Sequence, residues 1–167
     1  MVLSVAVVVP GLVVGFGLSP VGAVTPAQTE RVSVSSTGEQ ANGSSGTVIY
    51  DRYGLSISAD GRFVAFTSNA SNLVDADTNG ASDVFVYDRT TQETERVSVS
   101  STGAQANESS NEPSISADGR FVAFVSDADT LVPGDTNGAI DLFIRDRDAD
   151  GNGIVDEAGG TAVERVN

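Results

Sequence analysis

The sequence predicts an all-β protein made of two copies of one four-stranded unit. Residues 29–38 return without change as residues 94–103, and residues 56–66 return as residues 114–124. Between the repeats lie short segments rich in β-branched and aromatic side chains, separated by Asp-Gly and Asn-Gly turns. No long stretch carries apolar residues at helical spacing. Because one such unit cannot bury its own apolar face, we expect the copies to pack against each other.

Each copy supplies four predicted strands in chain order. Residues 62–68 and 83–88 are dense in Val, Phe and Tyr, which is typical of strands buried on at least one face. Residues 95–100 alternate apolar and polar side chains, which indicates an outer strand with one solvated face. Between the first two strands, Asp60 and Gly61 supply the positive φ of a tight hairpin. The predicted strands are 55–58, 62–68, 83–88 and 95–100, then 113–116, 120–126, 141–146 and 163–167.

The two copies differ by a seven-residue insertion. The first motif recurs after 65 residues and the second after 58, so the extra residues lie between them, at 47–53. Lengthening a surface loop costs only about 0.6 kcal/mol per doubling. We therefore predict a loop here, and its tyrosines, Tyr50 and Tyr53, are candidates for a contact surface.

The amino-acid composition excludes several common kinds of catalytic site. The chain has no Cys and no His, which excludes disulfides, cysteine nucleophiles and Ser-His-Asp arrangements. A glycosidase that works with two carboxylates would still be allowed. The formal net charge is −14, and phosphate binding needs a basic patch. We therefore expect a protein that is not an enzyme and that does not bind nucleic acid.

The N-terminal residues 1–23 carry no charged side chain and predict a signal peptide. Val21 and Ala23 fit the small-residue cleavage pattern. The basic flank of a typical signal is missing, so an uncleaved membrane anchor, a start codon placed too far downstream and a buried strand are alternatives. Cleavage would leave a secreted or periplasmic protein without stable membrane insertion.

A repeat of about 58 to 65 residues with four antiparallel strands is typical of the blade of a β-propeller. The segment 56–66, followed by Asp-Thr-Asn-Gly and then by residues 83–89, resembles the TolB-type, WD-like β-propeller repeat of exported bacterial proteins. The resemblance covers about residues 29–167 and implies a radial array whose channel or faces bind proteins or other ligands. Family members include subunits of envelope machinery and domains that gate peptidases, so an activity does not transfer with the repeat.

The predicted architecture is a partial propeller of two blades plus an extra N-terminal strand. We expect residues 1–23 to be the signal, 24–54 a linker with the outer strand and loop, 55–103 the first blade, and 104–167 the second blade with a truncated last strand. Closed propellers have typically four to eight blades. Either the sequence is a fragment of a longer product, or identical chains close a ring as a homo-oligomer.

The strongest candidate metal site is an acidic loop at residues 148–157. Calcium takes six to eight oxygen ligands, and this loop offers oxygens at alternate positions with a glycine at the sharp turn, as in the first part of an EF-hand loop. Gly159 stands where that loop carries a bidentate Glu. The alternative is a solvated acidic turn. The predicted Ca²⁺ ligands are Asp148, Asp150, Asn152, Asp156 and Glu157.

A weaker candidate with the same spacing lies at residues 75–83. In the second copy Pro133 replaces the first ligand, so the repeat as such does not require a metal. A hairpin whose Asp side chains bond local amides explains both copies. The weaker candidate ligands are Asp75, Asp77, Asn79 and Asp83.

Charged residues that recur at fixed positions in both copies are predicted to be structural. We expect two of the Asp residues to cap turns before glycines, and the Arg and Asp residues on the central strands to form ion pairs. This set is Asp60, Asp118, Arg62, Arg120, Asp88 and Asp146. The function expected from the sequence is a non-catalytic secreted module that binds a protein or another extracellular ligand. The alternative is the propeller domain of a larger exported hydrolase or peptidase.

Overall fold

The structure, a computed structural model, describes residues 29–46 and 54–166. From Arg31 onward the chain forms one compact unit. The described residues contain eight strands in two four-stranded antiparallel sheets and no helix, so the all-β prediction is confirmed. The strands are β1 (Leu55–Ile57), β2 (Phe63–Ser68), β3 (Asp83–Asp88), β4 (Glu93–Arg96), β5 (Ser110–Ile115), β6 (Phe121–Ser126), β7 (Asp141–Asp146) and β8 (Ala162–Arg165).

Each sheet is a meander, because its strands pair in the order in which they follow along the chain. In the first sheet β2 and β3 are buried along their whole length. Phe66 stacks on Phe85 with ring centroids 5.8 Å apart, and Phe124 stacks on Phe143 at the same distance in the second sheet. The aromatic cross-strand pair is therefore a property of the repeat.

The two sheets pack face to face through one shared apolar core. Alternate residues of β2 and β3 enter this core, as the period of two along a strand requires, and both strands contact β5. Hydrogen bonds also cross between the two repeats, from Ala59 N to Ala117 O at 3.0 Å, from Ser110 N to Ser82 O at 2.7 Å and from Ile115 N to Ser56 Oγ at 3.2 Å. The core consists of Phe63, Ala65, Val84, Val86, Val97, Ala106, Ile115, Val122, Phe124, Ala128, Leu131 and Phe143.

Each sheet is covered on one face by the segment that precedes it in the chain. Val32, Val34 and Ala41 pack on the face of the first sheet that carries Phe66 and Phe85. The repeat equivalents of this segment, residues 97–106, contribute to the shared core in the same way on the second sheet. We call residues 97–106 the link.

The predicted outer strand at residues 95–100 is wrong in its second half. β4 begins at Glu93 and ends at Arg96, after which the backbone N–H groups of Val97 and Ser98 both donate to Val84 O, at 2.9 and 3.4 Å. Val97, Ser98 and Val99 are all buried. The alternation in the sequence reflects packing of the link against the second sheet rather than a solvated strand face. Within residues 29–46 the expected extra strand is likewise limited to isolated bridges, at Val34–Gln40 and Ser45–Ser68.

The insertion falls where the second repeat has a bulge. In the second sheet the pairing of β5 with β6 shifts between Asn111 and Ser114. In the first sheet the described ends of the insertion, Gly46 and Gly54, both bond to the backbone of Thr67 at 2.8 Å. The predicted loop with Tyr50 and Tyr53 lies outside the described residues, as does the predicted signal at 1–23. In the part of the chain that the structure describes, no helix is long and apolar enough to cross a membrane.

Candidate functional site

The charged residues that recur in both repeats form ion pairs between neighbouring strands of the same sheet. Arg62 Nη2 lies 2.7 Å from Asp88 Oδ2, and Arg120 Nη2 lies 2.7 Å from Asp146 Oδ2. Each pair joins the start of one central strand to the end of the next, so the predicted ion pairs between strands are confirmed. Hydrogen bonds from Arg120 lower the pKa of the Asp146 carboxyl group below its ordinary value.

The two turn aspartates are also structural, as predicted. Asp60 Oδ1 accepts hydrogen bonds from Ser58 Oγ at 2.6 Å and from Arg62 N at 2.9 Å. Asp118 accepts the equivalent bonds from Ser116 Oγ and from the backbone of the next arginine. The serine hydroxyl, followed by that backbone amide, lowers the pKa of each carboxyl group. Both carboxylates therefore close their hairpins.

The weaker metal candidate is organised around an arginine. Arg96 Nη1 lies 3.5 Å from Asp77 Oδ1 and 3.7 Å from Asp83 Oδ2; the Asp83 side chain is fully buried, and those of Asp77 and Arg96 are 4% and 10% exposed. Asn79 donates to Asp83 Oδ2 at 3.2 Å, whereas Asp75 is exposed. Burial raises the pKa of both Asp77 and Asp83, and Arg96 opposes the shift. A guanidinium group thus supplies the positive charge beside these carboxylates.

The same arrangement occurs in the second repeat. Arg165 Nη1 lies 2.8 Å from Asp135 Oδ1 and 3.2 Å from Asp141 Oδ2. Asn137 donates to Asp141 as Asn79 donates to its own aspartate. We therefore assign the Asp-Thr-Asn-Gly motif to a repeated ion-pair cluster that anchors the loop between the central strands.

The structure places the five predicted ligands of the stronger metal candidate in three separate environments. Asn152 donates from its Nδ2 to Asp150 Oδ2 at 3.0 Å and to Glu157 Oε1, which links these three side chains. Asp148 instead accepts from the backbone of Gly153 at 3.1 and 3.2 Å. Asp156, the fifth predicted ligand, turns toward two arginines and is buried.

Asp156 forms an ion pair with Arg147. Arg147 Nη2 lies 2.6 Å and its Nε 2.7 Å from Asp156 Oδ2. In residues 29–46 and 54–166 no group of three or more Asp or Glu side chains is placed to hold a metal ion. Calcium binding at residues 148–157 stays a prediction, with Asp150, Asn152 and Glu157 as its nearest set.

A cleft of about 530 Å³ that is lined by several charged side chains lies between the two sheets. One wall comes from the first sheet, the floor from the link, and the other wall from β7 and the loop that follows it. We call it the inter-sheet cleft. It is lined by Val74, Asp75, Glu95, Arg96, Val99, Ser101, Thr102, Gly103, Arg145, Asp156, Glu157, Ala158, Gly159 and Thr161.

Arg145 anchors the second wall of this cleft. It stands where the first repeat has Tyr87, and it is only 5% exposed. Its Nε lies 3.6 Å from Asp156 Oδ1, and its Nη2 donates to Thr161 Oγ1 at 3.1 Å. Burial lowers the pKa of the Arg145 guanidinium group, and Asp156 opposes the shift. Across the cleft, desolvation and then repulsion by Asp156 raise the pKa of Glu95.

Sequence reasoning missed the pairing of Arg145 with Asp156. Its only signal was a departure from the repeat, since an arginine replaces Tyr87 in a segment that is otherwise matched in type. No protein-family model and no curated protein sequence matches the chain. Arg145, Asp156 and Glu157, which have no match in the first repeat, all line the inter-sheet cleft.

Proposed function

We propose that the protein is a non-catalytic binding module that holds its ligand in the inter-sheet cleft. The observation that carries the proposal is the convergence of repeat-specific residues there. Requirements of the fold act equally on both repeats, so residues that keep only the fold should match. Arg145, Asp156, Glu157 and Thr161 have no matching group in the first repeat, yet all four line one cleft.

The wider assignment is to a secreted β-propeller of the TolB type. Two four-stranded meanders stacked face to face are what neighbouring blades would present, and the repeated segment at 56–66 resembles that family. The uncharged N-terminal residues 1–23 support export. These proposals go together, because the family consists of exported proteins.

The chemistry of the cleft favours a polar partner such as an extended segment of an exported protein. Its volume of about 530 Å³ falls within the roughly 300–1,000 Å³ of typical ligand sites. Ser101, Thr102 and Thr161 offer hydroxyl groups, while Glu95 and Glu157 place negative charge at the walls. Arg145 and Asp156 largely neutralise each other. A peptide that presents N–H groups and a Lys or Arg side chain would match this surface.

Nuclear magnetic resonance of isotope-labelled protein tests the proposal directly. A panel of peptides with basic and acidic centres, together with neutral oligosaccharides, is titrated into the protein. We expect basic peptides to shift the amide signals of Ser101 and Thr161 in a saturable way. Binders that map to another surface, or the lack of any saturable shift, would contradict the proposal.

A matched pair of variants makes this test specific. Thr102→Trp would fill the cleft, whereas Thr37→Trp places the same bulk at the repeat-equivalent position on the first sheet. The two threonines make the same local bond, each to the serine hydroxyl two residues earlier, at 2.9 Å. We expect only Thr102→Trp to abolish the shifts. Equal loss in both variants would mean that the cleft is not the binding site.

The non-catalytic part of the proposal rests on composition and on the ion pairs. Without His or Cys, general acid and base chemistry would fall chiefly to a pair of carboxylates. Asp156 is held by Arg147 and Glu157 by Asn152. We expect no turnover of chromogenic glycosides or peptides. Turnover that disappears in Glu157→Gln while the fold persists would overturn this part alone.

A further inference from the structure

The two repeats contain one identical loop segment in which an asparagine precedes a glycine. Residues 77–81 and 135–139 both read Asp-Thr-Asn-Gly-Ala. The turn is also the same, because Asn79 Oδ1 and Asn137 Oδ1 each accept a hydrogen bond from the backbone N–H two residues later, at 3.0 and 2.9 Å. The glycines adopt φ +66° and +61°. Local sequence and local backbone therefore give the two asparagines the same intrinsic reactivity.

An asparagine that precedes a glycine is open to attack by the backbone nitrogen of that glycine, which has no Cβ to block the approach. This nitrogen forms a bond to the asparagine Cγ, and its proton leaves with the side-chain nitrogen as ammonia. Water then opens the resulting five-membered imide at one of its two carbonyl groups. The product is Asp or isoaspartate, with one more negative charge than the asparagine.

In the first repeat the link holds this loop in place. Asn79 Nδ2 donates to Ala106 O at 3.0 Å, in addition to its bond to Asp83 at 3.2 Å. One residue earlier, Thr78 Oγ1 donates to Gln105 Oε1 at 3.3 Å. Asn79 is half-buried. Its Cγ reaches the next backbone nitrogen only if the side chain leaves Ala106 and the loop separates from the link.

In the second repeat the asparagine is held by fewer contacts. Asn137 Nδ2 donates to Asp141 at 3.0 Å, and the residue is exposed. The described hydrogen bonds of Asn137 all lie within its own loop or at the start of β7. Rotation of its Cγ toward the next backbone nitrogen therefore breaks one tertiary hydrogen bond fewer than the same rotation of Asn79. One bond fewer corresponds to a rate that is about 2- to 10-fold higher.

We propose that Asn137 is a site of spontaneous covalent modification to Asp or isoaspartate, whereas the link protects Asn79. Water is the co-reactant. The reaction removes the donor that bonds to Asp141, and it adds a negative charge to the cluster in which Asp135 and Asp141 share Arg165. The modification should therefore loosen the loop between β6 and β7. This inference depends on the packing of the link and not on the proposed ligand cleft.

Peptide mapping by mass spectrometry measures both sites in one chain. The full-length protein is aged at mildly alkaline pH and cleaved at arginine, which gives residues 63–89 with Asn79 and residues 121–145 with Asn137. We expect Asn137 to convert about 2- to 10-fold faster than Asn79 in the folded protein. In concentrated urea both should convert at one rate, because their local sequences are the same. Equal rates in the folded chain, no conversion of Asn137 there, or a difference that persists in urea would overturn the proposal.

A variant of the link tests whether it is the source of the protection. Gln105→Ala removes the acceptor of Thr78, so conversion of Asn79 should rise severalfold while that of Asn137 stays the same. Gln40→Ala is the matched control, because Gln40 is the repeat equivalent of Gln105 and should alter neither rate. Circular dichroism checks that both variants fold. An unchanged rate at Asn79 in folded Gln105→Ala would show that the link does not protect it.

The effect of the modification on the loop is tested with Asn137→Asp, which reproduces one of the two products. Its carboxylate keeps an acceptor for the turn bond from Ala139 N, so a loss of stability comes from the lost donor and the added charge. We expect a lower Tm than that of the wild type, and the difference should shrink as salt screens the charge. A variant as stable as the wild type at low ionic strength would overturn the proposed loosening.

Discussion

The ring of Phe63 lies against the backbone of Gly119, so the two repeats meet through a phenylalanine and a glycine that has no Cβ. Gly119 adopts φ +79°, and its equivalent Gly61 adopts φ +72°. Both positions therefore penalise any other residue through the backbone. Among the described contacts of these two glycines, only that of Gly119 is with an aromatic ring. This difference allows the contribution of the inter-sheet contact to be measured.

Gly119→Ala should destabilise the protein by about 3 kcal/mol, from roughly 1 kcal/mol of backbone strain and about 2 kcal/mol of overpacking against Phe63. Gly61→Ala should cost only the strain of about 1 kcal/mol. Urea unfolding of dilute protein measures both values. Equal losses in the two variants would show that the Phe63 contact adds nothing to stability.

The strand positions were largely predictable because each central strand is a local pattern. Residues 83–88 and 141–146 were predicted and observed with the same bounds, since their dense apolar runs end at charged residues that pair across the sheet. The prediction for Val97 and Val99 was wrong. The alternation of apolar and polar residues is the same in a strand with one solvated face and in a link that packs on another sheet, and only the tertiary structure distinguishes the two.

The contacts between the sheets and the candidate site were less predictable than the strands. Phe63 and Phe121 show the physical reason. The residues around them, 56–66 and 114–124, are identical, yet one ring is buried and the other is 40% exposed. Local sequence cannot encode what lies on the far side of a sheet. The ion pair of Asp156 was hidden for the same reason, because its spacing fits a calcium loop while the arginines that bind it come from β7 and the residue just after it.

Removal of Arg96 should be among the most destabilising single changes in the first repeat. Arg96→Met would leave Asp77 and Asp83 buried without a cation, which should cost about 3–5 kcal/mol. Arg165→Met is the matched change in the second repeat, and it should cost roughly 1–2 kcal/mol because Arg165 is 28% exposed. Chemical denaturation gives both values.

A rescue variant tests the cause of this loss. Neutralising the carboxylates with Asp77→Asn and Asp83→Asn in the Arg96→Met background should recover part of the stability, because no buried charge is then left unpaired. If the triple variant is less stable than Arg96→Met alone, packing rather than charge governs this cluster.

The stability of the fold should depend on Asp146 in acid. Its folded-state pKa lies below the ordinary 3.8, so the stability it contributes is present above that value and is lost as pH falls through the folded pKa. The stability difference between wild type and Asp146→Asn should therefore shrink as pH falls from about 5 through the folded-state pKa. Thermal unfolding across this range measures it.

Asp83 should behave in the opposite sense and serves as the comparison. Burial raises its folded-state pKa, so the folded protein binds the proton more tightly and gains stability as pH falls through that pKa. The wild type should therefore improve relative to Asp83→Asn over the acid range in which it declines relative to Asp146→Asn. Parallel trends for the two aspartates would contradict the assigned directions.

The response to calcium should distinguish Asp150 and Glu157 from Asp156 within the loop at residues 148–157. We expect Ca²⁺ to raise the Tm and a chelator to lower it, because a ligand that binds only the folded state stabilises it. Asp150→Ala and Glu157→Ala should abolish this response with little effect on the calcium-free protein, since both side chains bond chiefly to Asn152.

Asp156→Ala should instead cost about 3–5 kcal/mol with or without calcium, because it leaves Arg147 and Arg145 buried without their carboxylate. If the Tm of the folded wild-type chain changes with neither chelator nor Ca²⁺, the loop is an acidic turn. Asp156 would then act only as the anchor of the cleft wall.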